Sequence, residues 1–165
     1  MELSTEGVLV LASARGLEKE YAEKEFDYDF PEGLAQLLAE HAAVALTTES
    51  GDELLIDLHL NQPVPDVPFD HEINQYLYLQ ADDELLVLSH ADFTQICAHK
   101  KGDYTQHRTS VEKIDIPAPG LYHVNIRVED VGDRFDDLEA YFRLSITLNR
   151  VEGSAEPNTV SDISA

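Results

Sequence analysis

GLYHVNIRV, residues 120–128, alternates apolar and polar side chains with a period of two. FRLSITLN, residues 142–149, repeats the alternation. Such a pattern is typical of a β-strand with one face in a core and the other toward water. An acidic stretch, residues 130–139, separates the two segments. We therefore predict that they are neighbouring antiparallel strands of the core, joined by an acidic loop.

Further strands are predicted toward the amino terminus. Residues 7–14 are apolar, and they lack the positively charged flank of a secretory signal, so they are predicted as a strand. Residues 42–48 and 54–60 surround the turn-forming cluster ESGD and predict a hairpin. Residues 73–79 and 85–89 predict a second hairpin, whose tip is acidic.

The remaining segments are less regular. Residues 31–41 begin with Pro-Glu-Gly and continue with leucines at helical spacing, which predicts one helix. Residues 27–30, DYDF, suit an edge strand. Residues 61–68 contain three prolines, which cannot donate to a β-ladder, so this segment is predicted to cross between sheets or around an end.

These elements indicate one domain. The chain has 165 residues, and strands at short spacing with a single helix are typical of an all-β, antiparallel two-layer β-sandwich of about eight strands. We predict that the sandwich spans residues 1–151. From residue 152 to 165, Gly, Ser, Pro, Asn and Thr dominate, which predicts a flexible C-terminal tail.

The charge excludes several classes of partner. Thirty-three acidic residues against eleven basic ones give a formal net charge of -22, which disfavours direct binding of nucleic acid or of anionic membranes. No apolar run reaches the roughly 18 residues of a spanning helix. One cysteine cannot form an internal disulfide framework. We expect a cytoplasmic protein.

Motifs that would indicate catalysis are incomplete. HEINQ, residues 71–75, begins like the zinc motif H-E-x-x-H but has Gln75 at the second ligand position. Cys97, His99 and His107 include no C-x-x-C pair, so packed and solvated side chains are favoured over a zinc site. The chain contains neither a phosphate-binding glycine loop nor G-x-S-x-G. We therefore predict a protein that is not an enzyme and needs no cofactor.

The carboxylates permit two interpretations. Dense acid on one surface can imitate a phosphate backbone and bind a basic protein, whose approach it would accelerate. The same residues could instead only keep the protein soluble. The candidate partner-binding residues are Asp82, Asp83, Glu84, Asp130, Asp133, Asp136 and Asp137.

Calcium or a small ligand is the alternative function. Acidic loops at one end of a sandwich can supply the oxygen ligands that calcium prefers. Residues 82–84 and 130–139 qualify by composition, but neither follows the EF-hand pattern. Whether a metal binds is therefore left open.

Residues 114–124, IDIPAPGLYHV, form a corner that leads into a strand, followed by an acidic loop and a closing strand. In this pattern and in the order of elements over residues 34–151, the chain resembles small acidic bacterial β-sandwich proteins that include a competence-associated nuclease inhibitor. The resemblance implies a bacterial cytosolic sandwich. It also implies binding to a protein, as an inhibitor or immunity-type factor against a basic, nuclease-like partner.

Overall fold

The computed structural model describes residues 2–21, 32–89, 91–94, 112–116, 118–132 and 141–163. The strands in these ranges are β1 (Glu2–Ser13), β2 (Ala43–Leu60), β3 (His71–Leu79), β4 (Glu84–Ser89), β5 (Glu112–Asp115), β6 (Gly120–Asp130), β7 (Tyr141–Val151) and β8 (Ser161–Asp162). The helices include α1 (Ala14–Tyr21) and α2 (Ala35–Ala39), the latter preceded by a 3₁₀ turn at Glu32–Leu34, and residues 91–94 are helical as well.

Strand β2 belongs to both layers of the structure. The hydrogen-bonded order is β3-β6-β7-β2-β1-β4-β5, and β8 pairs with β2 off this path. The first half of β2 pairs antiparallel with β1, whereas its second half pairs parallel with β7. Two four-stranded layers, β3-β6-β7-β2 and β2-β1-β4-β5, thus pack together, which confirms the predicted β-sandwich. The parallel β2–β7 and β2–β8 pairs are exceptions to its antiparallel pairing.

The main core fills the space between the two layers. The alternating residues of β6 and β7 face into it, and Tyr122, Val124, Ile126 and Ile146 are fully buried. The two strands are antiparallel neighbours, with Ile126 opposite Ile146, as their alternation predicts. Removal of this apolar surface from water is the main stabilising contribution to the sandwich.

The helices cover the outer face of the β1-β4 layer and form a second core. Leu17 and Tyr21 of α1 are one helical turn apart and both are buried there, together with Leu37 of α2. Helix α1 was not predicted, because four charged residues interrupt its apolar positions. The helix predicted over residues 31–41 is present as the 3₁₀ turn and α2.

Both predicted hairpins are wrong. The turn-forming residues 49–52 lie within β2, whose backbone continues because β1 pairs with it on both sides of this cluster. Strands β3 and β4 do not pair with each other: β3 pairs with β6, and β4 pairs with β1 and β5. Residues 80–83 therefore connect the two layers and do not form a hairpin tip.

Residues 61–70, which we name the proline strap, connect β2 to β3. These two strands point the same way in one layer and are separated by β7 and β6. The connection must therefore return along the outer face of β7 and β6. Its hydrogen bonds follow that course: Asn61 N–H donates to Leu148 O at one end, and Asp70 N–H donates to Val128 O at the other.

The C-terminal segment is packed against both layers, which corrects the predicted flexible tail for residues 152–163. Strand β8 pairs with Leu46 and Thr47 of β2, and Ile163 is fully buried. The Asn158 side chain bonds to Ala43 and to both backbone groups of Tyr76. Asn158 and Ile163 anchor this segment. They stand among polar residues, so the composition of the segment did not indicate that it is packed.

Candidate functional site

The first predicted acidic cluster lies at the corner between β3 and β4. Asp82 is exposed, with a left-handed φ of 56°, and Glu84 is partly exposed at the start of β4. Asp83, between them, is only 3% exposed. The three neighbours therefore do not present three carboxylates to a partner.

The Asp83 carboxylate holds the corner together. Its Oδ1 accepts hydrogen bonds from the backbone N–H of Arg15 at 3.0 Å and of Glu84 at 2.8 Å. Its Oδ2 accepts from Gln80 N–H at 2.9 Å and from the Ser13 hydroxyl. Four donors satisfy a buried charge that would otherwise be costly. These bonds join α1 and β1 to the connection between the layers.

The second predicted cluster lies at the opposite end of the strands. Asp130 is exposed at the end of β6, whereas Asp133, Asp136 and Asp137 lie outside the described residues. Leu79, beside the first cluster, pairs with Gly120 at the other end of β6. At ~3.3 Å per residue, the length of β6 separates the two clusters by about 30 Å. The structure does not bring them into one surface.

The structure adds strap residues to the second cluster. Asp66 and Asp70 of the proline strap are exposed, as is Asp130, which follows Glu129 in β6. Asp70 Oδ2 accepts a hydrogen bond of 2.7 Å from Asp130 N–H, so the strap and β6 are joined here. We name these four residues the acidic end. Residues 133–140, with Asp133, Asp136 and Asp137, continue the chain from it.

Glu72 neighbours the acidic end and is bound in a network with the strap. Arg127 Nε donates to Glu72 Oε2 at 2.9 Å, and Arg127 Nη1 donates to Pro65 O at 2.9 Å. The Arg127 guanidinium also lies 4.5 Å from the centre of the Phe69 ring. Hydrogen bonds from Asn125, which has the larger effect, and from Arg127 hold the pKa of Glu72 below its ordinary value of 4.5.

A buried polar patch lies on the outward side of β6 and β7. Asn125 and Ser145 are 4% exposed and Thr147 is 1% exposed, although alternation directs all three away from the main core. The Asn125 Oδ1, Ser145 Oγ and Thr147 Oγ1 atoms have no hydrogen-bond partner within the described structure. The sequence shows these residues only as the polar half of two strands. Their burial follows from the course of the strap.

An open cleft of about 370 Å³ lies between the strap and strands β2, β6 and β7. Strap residues Val67 and Pro68 form one wall, and Asp57, Glu129 and Arg143 contribute to the remainder. Arg143 Nη1 lies 3.6 Å from Glu129 Oε2. Asp57 makes no ion pair with another described residue.

Two further clefts meet at Tyr78, whose side chain is 49% exposed. They have volumes of about 680 and 370 Å³, and Tyr78 lines both. Lys19 lies in the larger cleft and Arg150 in the smaller. Neither cation forms an ion pair within the described ranges, which sets them apart in a chain of net charge -22.

The described part of the chain contains no group of three or more His, Cys, Asp or Glu side chains placed to hold a metal ion. Cys97, His99 and His107 lie outside it, as does the predicted edge strand at 27–30. Among the same residues, no helix is both long enough and apolar enough to span a bilayer.

Among known proteins, the chain is similar to solved structures. No protein-family model and no curated protein matches the chain. A solved structure named "Crocagin biosynthetic gene J" is 13% identical, with a TM-score of 0.54, and the match covers 92% of this chain and 96% of that one. At this identity the match shows a shared fold.

A second solved structure is ComJ from Bacillus subtilis, described as an inhibitor of the DNA-degrading activity of NucA. It is 10% identical, with a TM-score of 0.43, and the match covers 89% of this chain and 92% of that one. The chain is similar to both solved structures at low identity.

Proposed function

We propose that this protein binds a basic protein through its acidic end, and that it acts as an inhibitor or immunity-type factor against a nuclease-like partner. The observation that carries the proposal is the hydrogen bond that joins exposed Asp70 of the strap to exposed Asp130, next to Glu129, where the acidic stretch of the sequence begins. Neither a catalytic step nor a cofactor is part of the proposal.

Electrostatics favour this end for such a partner. Asp66, Asp70 and Asp130 are exposed and make no ion pair with another described residue, so their charges are available to a partner. A concentrated negative potential accelerates the approach of a basic protein, and the acceleration weakens as salt screens it. The corner cluster is less suited, because Asp83 is buried and its oxygens already accept four hydrogen bonds from within the fold.

The proposal is tested first by finding the partner. A photo-crosslinking residue placed at Asp70 is expected to capture a basic protein in cells, whereas the same residue at Asp82, at the other end, is not. The captured protein is then purified, and its nuclease activity is measured with and without this chain. A partner without nuclease activity would contradict the nuclease assignment and leave the binding proposal standing.

Association rates then locate the contact. The variant Asp66→Asn/Asp70→Asn/Asp130→Asn keeps an acceptor oxygen at each position and is expected to slow association by about tenfold at low salt. A matched control, Glu18→Gln/Glu32→Gln/Asp82→Asn, removes the same number of charges elsewhere and is expected to have a much smaller effect. Equal slowing by both variants, or a rate that is independent of salt, would refute the acidic end as the binding surface.

Binding of a small anionic ligand is a second candidate function, favoured by Lys19 and Arg150 in the clefts that meet at Tyr78. An exposed tyrosine can supply apolar contact while the two cations bind an anionic group. Calcium belongs to the same alternative, through the carboxylates of the acidic sequence segment 130–139. A ligand or calcium that raises the melting temperature would support it through mass action.

A further inference from the structure

The two large hydrophobic side chains that are exposed among the described residues lie on one face of the β3–β6 pair. Phe69 is 44% exposed and Tyr78 is 49% exposed. Leu77 and Leu79 are buried in the main core, so alternation directs Tyr78 away from it. The Phe69 ring lies 4.5 Å from the guanidinium of Arg127, which projects outward from β6. Exposed apolar side chains that stand alone need no explanation, but these two share a surface.

Side-chain contacts on this face lie between the two rings. Tyr76, two residues before Tyr78, projects on the same side of β3, and its ring lies 5.3 Å from the ring of His123 opposite it. His123 Nε2–H donates to Asn74 Oδ1 at 2.8 Å. The next outward-facing register pair on β3 and β6 contains Arg127, so the line of side chains continues toward the strap.

This set of side chains, which we name the aromatic row, is held in place within the fold. Asn74 Oδ1 also accepts from Asn125 Nδ2 at 3.1 Å, and Arg127 is bonded to Glu72. Side chains that are fixed before a partner arrives lose little conformational entropy on binding, so such a surface is preorganised. The members of the aromatic row are Phe69, Arg127, Asn74, His123, Tyr76 and Tyr78.

The aromatic row and the acidic end fit within one interface of ordinary size. Glu72, which is opposite Arg127, is separated from Tyr78 by a length of β3 of about 20 Å, at ~3.3 Å per residue. A standard protein–protein interface covers about 800 Å² of each partner, which is a patch about 30 Å across. Phe69 adjoins Asp70 in the chain, so the row begins where the acidic end lies.

Composition and charge indicate what covers the row. Tyr, Phe and Arg are enriched at the centres of protein–protein interfaces, which favours a protein over a small ligand. A second copy of this chain would bring another net charge of -22 to the contact, which disfavours self-association. A basic protein would instead meet complementary charge at the adjoining acidic end.

We infer that the aromatic row is the centre of the surface that docks the basic partner, with Phe69 and Tyr78 as its anchors and the acidic end at its rim. This inference rests on the proposed function and deepens it by naming the contacts that hold the partner. Charges at the rim of an interface mainly change the rate of association, whereas desolvated anchors at its centre mainly change the rate of dissociation.

Dissociation rates measured with the captured partner test the row. Tyr78→Thr removes the ring and keeps a β-branched residue that suits a strand. It is expected to raise the dissociation rate about tenfold and to change the association rate by less than about twofold. Tyr78→Phe, the matched control, keeps the ring and is expected to bind like wild type. Equal dissociation rates for Tyr78→Thr and Tyr78→Phe would overturn the inference.

Phe69→Ala provides a second test outside the strands. Its dissociation rate is expected to rise in the same direction as that of Tyr78→Thr, and Phe69→Tyr, which keeps an aromatic ring, is its control. The melting temperature of each variant shows that it is folded at the temperature of the assay. If Tyr78→Thr is not folded there, the Phe69 pair decides the outcome alone.

Photo-crosslinking in cells identifies what lies on the row. A photo-crosslinking residue at Tyr78 is expected to capture the same basic protein as one at Asp70. The same residue at Ala91, exposed on the helical side of the other layer, is not. Capture of a second copy of this chain at Tyr78, or dimers in sedimentation that Tyr78→Thr abolishes, would overturn the inference. Capture of the basic protein at Ala91 and not at Tyr78 would also overturn it.

The two sets of variants separate this inference from the proposed function. If the acidic-end variant slows association while Tyr78→Thr and Phe69→Ala leave dissociation unchanged, the aromatic row alone is refuted. If the row variants raise the dissociation rate of a basic partner whose association ignores the acidic-end variant, the acidic end alone is refuted. A captured partner that is not basic would refute the proposed function, and with it the occupant inferred for the row.

Discussion

Asp82 and Asp83 are adjacent in the chain but have different environments. Asp82 is exposed at a left-handed position, whereas Asp83 is buried and accepts four hydrogen bonds. Sequence alone gives both the same acidic character, because burial of one depends on where β1 and α1 meet the corner. At the scale of the residue, the neighbouring hydrogen-bond donors decide whether a carboxylate stabilises the fold or stays available to a partner.

Asp83→Ala is expected to lower the free energy of unfolding by about 3 kcal/mol, because it leaves buried N–H donors without an acceptor. Asp83→Asn should also destabilise, since its amide would direct N–H groups at one pair of donors. Asp82→Asn, the control, should change stability by less than about 0.5 kcal/mol, because asparagine tolerates a left-handed φ. Urea unfolding measures all three, and equal stability of Asp83→Ala and wild type would contradict the role of the corner.

The environment of Glu72 predicts that the stability of the folded protein depends on pH. Its pKa is lowered in the folded protein by hydrogen bonds from Asn125 and Arg127, so the folded state favours the charged form. Its contribution to stability is therefore complete above the ordinary pKa of 4.5 and is lost as the pH falls through the lower, folded value. Glu72→Gln should melt at a lower temperature than wild type at pH 7, and the difference should shrink in acid. A difference that grows as the pH falls would contradict this assignment.

At the scale of elements, alternation predicts which face of a strand is buried but not which strand lies beside it. Strands β6 and β7 and their pairing follow from alternation and proximity in the chain. The pairing of β2 with β7 joins distant segments, and the cluster at 49–52 suggests a turn that the continuous ladder with β1 overrides. The polar patch was hidden for the same reason, because the strap that buries it is placed by pairing.

Asn158 anchors the C-terminal segment between the two layers. Its side chain bonds Ala43 O at 2.9 Å, Tyr76 O at 2.6 Å and Tyr76 N–H at 3.0 Å. Asn158→Ala should therefore lower the free energy of unfolding by about 2–3 kcal/mol. Thr159→Ala, at an exposed neighbour, should have little effect. Chemical denaturation compares the two variants, and similar midpoints for both would show that the segment adds nothing to stability.

At the scale of the whole molecule, charge is the dominant property. A net charge of -22 repels itself most strongly in the compact state. We expect the melting temperature to rise as sodium chloride increases from about 0.1 to about 1 M, because the Debye length falls from about 10 Å to about 3 Å. The experiment uses a chloride salt and not a sulfate salt, because sulfate stabilises proteins in another way, through its exclusion from their surface. A falling melting temperature over this range would show that attractive ion pairs outweigh the repulsion.

The sharing of β2 by both layers has a consequence for the speed of folding. Its first half needs β1, which is close in the chain, but its second half needs β7, with Glu53 beside Tyr141. Pairings between such distant residues must overcome the entropy of closing a long loop before they contribute any stability. We therefore expect refolding over milliseconds to seconds, in the range of other β-sandwiches. Since neither layer is complete without β2, both should form in the same kinetic step, and neither should persist as a separate folded half.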